Sequence, residues 1–222
     1  MILHIESSTQ VCSVALSEKG KLVKHLEINS HEFVHGEQLT LLIDALFEAI
    51  NGSIKDLSAV SVAIGPGSYT GLRIGLATAK GIAFGLKVPI MGISSLQSLI
   101  YLAKQQHLDS YFIAAFDAKR NEVYMRMESD NEILLYDQPV DLNDFDFTWP
   151  NHCVLVGDGN LKVAQTLKNA KFMLDSTCTP SALGQIQLAW DRWSCNSFDN
   201  IYELCPNYTK PCFIAERINK NS

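Results

Sequence analysis

The chain has 222 residues, enough for one sizeable core or two smaller ones, and 47% of them are apolar at a mean hydropathy near zero, which excludes a disordered polymer. Its 18 basic and 24 acidic side chains give a formal charge of −6, which argues against tight unaided binding to nucleic acid, where affinity rests on neutralising phosphates. The most apolar window, residues 74–93, holds Lys80, Lys87 and Pro89 within one membrane-spanning length, so no membrane contact is expected.

The opening residues MILHIESST place no basic segment before a long apolar run and read as a strand, and the expectation is a cytoplasmic protein without an export signal. Residues 2–6, 12–18 and 21–28 form three strands joined by tight turns at SSTQ and Lys19-Gly20. Leu39, Leu42, Ile43, Leu46, Phe47 and Ile50 then fall at helical spacing, and Asn51-Gly52 closes that helix. LSAVSVAIG is a fourth strand, residues 70–86 are a helix, VPIMGI is a fifth strand, and Ser94-Ser95 caps a helix to about Ala103. SYFIAAFDA and EVYMRMES are further strands with a hairpin-like return. PSALGQIQLAWDRW reads as an amphipathic helix after Pro180, and CPNYTKPCF as extended chain.

The second half resembles the first. ILHIESSTQVCSVALSE and YFIAAFDAKRNEVYMRMES each run an apolar strand into a carboxylate, Glu6 or Asp117, then a polar turn and a second strand. VAIGPGS at 62–68 parallels VLVGDGN at 154–160. These pairs point to two diverged copies of one α/β unit, with residues 1–106 as an N-terminal lobe and 107–222 as a smaller C-terminal lobe.

Four features invite a chemical reading. GPGSYTGLRIG, residues 65–75, joins a strand to a helix and turns backbone N–H groups where an anion binds. It lacks the lysine and spacing of the P-loop, and Thr70 breaks the dinucleotide pattern that Gly65 and Gly67 begin. Gly71, Gly75, Ala79 and Ala83 recur every four residues and make a flat face that admits a close helix, internal or from a partner. HEFVH, residues 31–35, matches the zinc-protease pattern, where two histidines share a metal and the glutamate activates water; it sits at a helix start with no third-ligand continuation. Glu6 and Asp117 end equivalent strands and could face each other across a cleft, as metal-holding acids of a phosphotransferase do, against a plain reading as turn caps. Six cysteines, at 12, 153, 178, 195, 205 and 212, form no CxxC pair and read as buried or free thiols. Trp190, Trp193 and Phe198 read as packing, because stacking on bases would need a basic groove.

Taken together, GPGSYTGLRIGLATAKGIAFG, the ILHIESSTQVCSVAL before it, and SSLQSL and FDAKRNEVY after it resemble the TsaB (YeaZ) family over residues 1 to about 128, with VGDGN and NYTKP extending the match. The resemblance implies a duplicated actin-like fold, of the sugar-kinase, Hsp70 and ribonuclease H kind, with two mixed-sheet lobes. It implies a non-catalytic subunit for N6-threonylcarbamoyladenosine formation at position 37 of tRNAs reading codons that begin with A. The partners it implies are a TsaD-like catalytic subunit and a TsaE-like ATPase, with tRNA bound only in the complex and a homodimer when the partner is absent. ATP or ADP and metal would then enter through those partners, with no cofactor and no metal held by this chain alone, and no catalytic residue of its own. The small-residue face Gly71, Gly75, Ala79, Ala83 and the stripe Leu39 and Leu42 become the expected partner interface, while Glu6, Ser8, Gly65, Gly67 and Asp117 become a vestigial nucleotide loop. This sequence departs from the family at Glu6, where aspartate is usual, at Tyr69 in place of phenylalanine, and in DAKRNEVY. SSLQSLIYLA carries no histidine where TsaD has its metal ligands.

Overall fold

The computed structural model describes residues 1–29, 35–107, 111–145, 147, 149–150, 152–168 and 171–208. HEFVH falls outside them except for the backbone of His35, and so do Ser30, Cys212 and the end of CPNYTKPCF.

Strands β1 (Ile2–Glu6), β2 (Val11–Glu18) and β3 (Lys21–Asn29) form an antiparallel meander. Helix α1 (His35–Glu48) leads to β4 (Ala59–Gly65), α2 (Tyr69–Leu86) to β5 (Ile90–Ser94), and both strands add in parallel to give the order β3-β2-β1-β4-β5. Helix α3 (Ser95–Lys104) follows at once, its N-cap Ser94 accepting a hydrogen bond from Gln97 N–H at 3.1 Å. The chain then repeats the pattern with β6 (Tyr111–Asp117), β7 (Glu122–Glu128), β8 (Ile133–Asp141), β9 (Cys153–Val156), α4 (Asn160–Thr166) and β10 (Phe172–Asp175). The second sheet runs β10-β9-β6-β7-β8, the mirror of the first in list order and identical in the sense of every pairing. The duplication is therefore real at the level of topology. Gly65 and Gly157, matched in the two VxxG strings, take the same left-handed backbone at φ +102° and +97°.

Alternation along the central strands decides what covers each sheet. Leu3 and Ile5 of β1, with Val60 and Val62 of β4, face α1 and α2 and pack with Leu39, Leu42, Leu46, Leu76 and Ala79. The even positions of β1 face the other way, toward a 3₁₀ turn at Ala182–Gln185 and helix α5 (Ile186–Ser194), where Trp190 and Trp193 pack on Ile2, Ala59 and Met91. Both elements come from the C-terminal half. In return α3, from the N-terminal half, lays Leu96, Leu99, Ile100 and Ala103 against Phe112, Ala114, Phe116, Val154 and Val156 of the second sheet. The helix predicted after Pro180 thus begins as a 3₁₀ turn and crosses to the opposite lobe. The second sheet's remaining face is covered by α4 and by a mutually packed aromatic group, Phe145, Phe147, Trp149 and Phe172, with ring centroids 5.1–5.9 Å apart. Among the described residues no helix corresponding to α1 stands between β8 and β9.

The expected partner face of α2 is a correction. Gly71, Gly75, Ala79 and Ala83 are all buried within this chain, as are Leu39 and Leu42. A Cβ added at Gly75 would clash with Ser7 Oγ and sit 3.6 Å from Ile5, so the small residues admit strand β1, not another molecule. Ser7 Oγ in turn donates to Gly71 O at 3.0 Å. Gly81, on the outward side, has open space where its Cβ would stand. Gly75→Ala is expected to destabilise the protein by about 1–3 kcal/mol through overpacking, whereas Gly81→Ala should be neutral or stabilise it by roughly 0.4–1 kcal/mol. Urea denaturation of the two variants checks this, and equal effects would contradict the packing.

Beneath the 3₁₀ turn runs a buried polar chain. His4 Nε2 and Nδ1 meet Ser17 Oγ and Ser61 Oγ, both at 2.7 Å; Ser61 donates to Gln185 Oε1 at 2.8 Å; and Gln185 Nε2 donates to Ile5 O at 2.8 Å. Burial drives the His4 pKa from 6.5 down to about 3, so the imidazole is neutral in the fold. The unfolded chain therefore binds a proton below pH 6.5 that the fold refuses until about pH 3, and stability falls across that window as the solution is acidified. The loss attributable to His4 is about 1.4 kcal/mol per pH unit inside the window. Buried Glu6, its pKa raised by desolvation, acts with the opposite sign, so the comparison is made against His4→Gln. The variant's stability measured from pH 7.5 to 5 should decline less steeply than wild type by one proton's worth, whatever its starting value.

Candidate functional site

The carboxyl ends of β1, β4, β6 and β9 converge on a cleft of about 990 Å³ between the two lobes. The β1–β2 turn with Ser8 and Thr9, and the start of α2 with Gly67 and Tyr69, form one wall; Asp117, Lys119 and Asp158 form the other. An open α/β sheet offers its ligand crevice at such a place.

The glycine loop is built to close on the β1–β2 turn. Gly67, at φ +155°, brings its backbone against Ser8, where a Cβ would collide with the Ser8 carbonyl. Ser68 N–H donates to that carbonyl at 2.6 Å, and Gly71 N–H donates to Ser68 Oγ at 3.2 Å as the helix cap. Two of the N–H groups that a phosphate would need are thereby taken. The Arg73 guanidinium lies 3.9 Å from the centroid of the Tyr69 ring, and its Nε donates to the Tyr208 hydroxyl at 3.0 Å.

Gly65, the last residue of β4, is outside the lining of the cleft, whereas Ser8, Gly67 and Asp117 are brought together in it. Glu6 is not, and the facing pair of acids is a correction. Its side chain is fully buried on the face of β1 that meets the 3₁₀ turn, accepting Ser8 N–H at 2.8 Å and Gln185 Nε2 at 3.5 Å. Desolvation raises its pKa against those hydrogen bonds, which favours the neutral acid. Glu6 is a strut for the turn that carries Ser8.

The acids that do share a wall are Asp117 and Asp158. Asp158 Oδ1 accepts Asp117 N–H at 2.9 Å, and burial, with the neighbouring Asp117 charge, raises the Asp158 pKa. Burial works to raise Asp117 too, but the Lys162 ammonium that pairs with it and the Lys119 N–H at 2.7 Å outweigh this, and its pKa is lowered. The two neighbouring carboxyls are thus shifted in opposite directions, Asp158 upward by burial and Asp117 downward by its lysine partner and the Lys119 N–H. VGDGN marked the loop that carries Asp158, but nothing in the sequence tied Lys162 to Asp117, 45 positions away. Among the described residues no group of three or more His, Cys, Asp or Glu stands where it could hold a metal ion, and no helix is long and apolar enough to cross a membrane. Cys12, Cys153 and Cys178 are buried and Cys195 and Cys205 exposed, all as thiols. Lys162→Met should move the Asp117 pKa upward, measured by carboxyl ¹³C titration; an unmoved Asp117 would show that the pair exerts no hold on it.

Two five-stranded mixed sheets of repeated topology, flanked by helices and opening on a common cleft, make this an actin-like α/β protein. A family model described as TsaD: tRNA N6-adenosine threonylcarbamoyltransferase matches residues 30–175. The tRNA threonylcarbamoyladenosine biosynthesis protein TsaB of Escherichia coli is 34% identical over 123 residues, 55% of this chain and 52% of that protein. TsaB of Bacillus subtilis is 35% identical over 123 residues, with the same shares. The chain spans about half the length of the curated relatives it matches. YeaZ from Pseudomonas aeruginosa superposes with a TM-score of 0.79 at 23% identity, covering 93% of this chain and 98% of that one. The activator of the 2-hydroxyisocaproyl-CoA dehydratase from Clostridium difficile, with bound ADPNP, shares the fold at a TM-score of 0.52 and 11% identity, over 90% and 98% of the two chains. The chain belongs to the family of that threonylcarbamoyltransferase model, and the curated relatives named above that it resembles are TsaB proteins.

Proposed function

We propose that the chain is a non-catalytic subunit of the machinery that forms N6-threonylcarbamoyladenosine in tRNA, and that it docks a TsaD-type catalytic subunit on the outward face of α1 and α2. The reading is supported by the division of labour on those two helices. Their inner faces are consumed by the first sheet, yet the outer ones still present apolar side chains, Leu41 at 58% and Phe84 at 64% exposure, with Ala45, Ala77, Gly81 and Gly85 beside them. Small residues around two bulky anchors suit a close helix-on-helix contact. The same face serves for self-association when the partner is missing, and a TsaE-type ATPase and tRNA join through the assembled complex. The chain's own cleft supplies no nucleotide chemistry in this reading: Ser68 and Gly71 N–H groups are spent on capping and on Ser8, and Glu6 is turned away.

Mixing the purified chain with the TsaD-type protein of its own organism should give a complex on size exclusion. Phe84→Asp should weaken it at least tenfold, about 1.4 kcal/mol, with the folded spectrum kept. In cells, loss of the gene should lower the modified nucleoside in digested tRNA, restored by wild type and not by Phe84→Asp. Absence of any complex together with unchanged tRNA modification would sink the proposal.

A further inference from the structure

The outward faces of α1 and α2 differ in the sign of their charge. Helix α1 carries Glu37, Asp44 and Glu48 and no lysine or arginine; α2 carries Arg73 and Lys80, with Lys87 as its cap, and no acid. All of them are exposed except Lys80, which is half-buried. Among the described residues none of them enters an ion pair. Two neighbouring helices thus hold opposite charges that the chain itself leaves uncombined.

The two faces also share one spacing. Glu37, Leu41 and Asp44 stand at i, i+4 and i+7 of α1, and Arg73, Ala77 and Lys80 stand at the same intervals on α2, so each trio lies on one side of its helix. The charges at the ends of a trio are about 10 Å apart along the axis. Between them lies an exposed leucine on α1 and an exposed alanine on α2. Both helices cover the same face of the first sheet, and β4 and β5, which they precede, are parallel, so the two run in one direction. A Cβ added at Gly36 would stand 3.8 Å from Ile74 Cδ1, which sets the two trios level with each other.

Two-fold symmetry offers two ways to stack a second copy on this helix pair. An axis across the helices lays α1 on α1 and α2 on α2, acid against acid and base against base. An axis along them lays α1 on α2 and preserves the levels. We propose that two copies pair about a two-fold axis parallel to α1 and α2, the acidic α1 of each seated on the basic α2 of the other. The inference rests on the docking face read above and adds the arrangement of the second copy on it. Glu37 then faces Arg73 of the second copy and Asp44 faces its Lys80, each twice by symmetry, while Leu41 fills the space over Ala77. Opposite charge at matched levels fixes the register, and like charge rejects the other axis.

Sedimentation of the full chain tests the arrangement. Self-association should weaken about fivefold from low to high salt. Asp44→Lys and Lys80→Asp should each weaken it about tenfold, since each turns two symmetry-related attractions into repulsions, and both together in one chain should restore it to within about twofold of wild type. Such recovery also shows that neither substitution acts by unfolding the chain. Fluorescently labelled wild type should not pair with the charge-exchanged chain, because acid would meet acid and base would meet base. With the axis across the helices, those two chains would instead prefer each other. A wild type that stays monomeric, association that tightens with salt, an exchanged chain no stronger than the single variants, or free mixing of the two chains overturns the arrangement. Where that happens and the TsaD-type complex still forms on size exclusion, only the partner reading survives. Where the pair behaves as expected and the TsaD-type subunit does not bind, the partner reading fails and the arrangement holds.

Discussion

Each five-stranded sheet is buried on both faces, and each takes one of its covers from the other half of the chain. The rest of the architecture follows from that exchange. Helix α3 leaves the first half to cover the second sheet, while the 3₁₀ turn and α5 return from the end of the chain to cover the first. The lobes are therefore joined by exchanged covers, each buried in the core of the other. Charge fixes one of these covers at both ends: Ser94, the cap of α3, donates to Asp137 at 2.5 Å, and Lys104, in its last turn, donates to Glu128 at 3.0 Å. Arg126 joins the two acids, reaching Glu128 at 2.5 Å and Asp137 at 2.9 Å, so no charge of the group is buried alone.

The other cover brings a polar group to the middle of a dry interface. Gln185 reaches from the 3₁₀ turn to Ser61, Ile5 O and Glu6, and through them to His4 on one side and the Ser8 turn on the other. A buried amide is tolerated there because each of its partners is supplied by β1 or β4 at a fixed register. The turn so held then fixes the start of α2 through the Ser8 carbonyl and Ser7 hydroxyl. A residue near the end of the sequence in this way sets the position of the helix that the family signature announces.

Much of this was legible beforehand, and what was missed shares one cause. Period-2 and period-3.6 patterning located β1 to β7 and α1 to α3 within a few residues, and the paired strings VAIG and VLVG exposed the duplication. What patterning cannot carry is the identity of the neighbour. Gly71, Gly75, Ala79 and Ala83 allow a close approach equally to a strand inside the chain and to a helix outside it, and only the fold shows Ser7 and Ile5 in that place. Glu6 reads as a strand-end acid bound for the cleft, because the element that buries it, at Gln185, lies 179 positions away. The outward strip of α2 has no spacing that distinguishes it from its buried counterpart one side over.

The aromatic group of Phe145, Phe147, Trp149 and Phe172 closes a face of the second sheet with rings where the first sheet has α1. An aromatic loop can shield a core, but it offers no paired helices for another molecule to grip. The repeated topology doubles the sheet without doubling the helix pair. Among the described residues the second sheet has no counterpart of the α1–α2 face, and a two-fold pair formed through that face, as proposed above, closes on itself instead of growing into a filament.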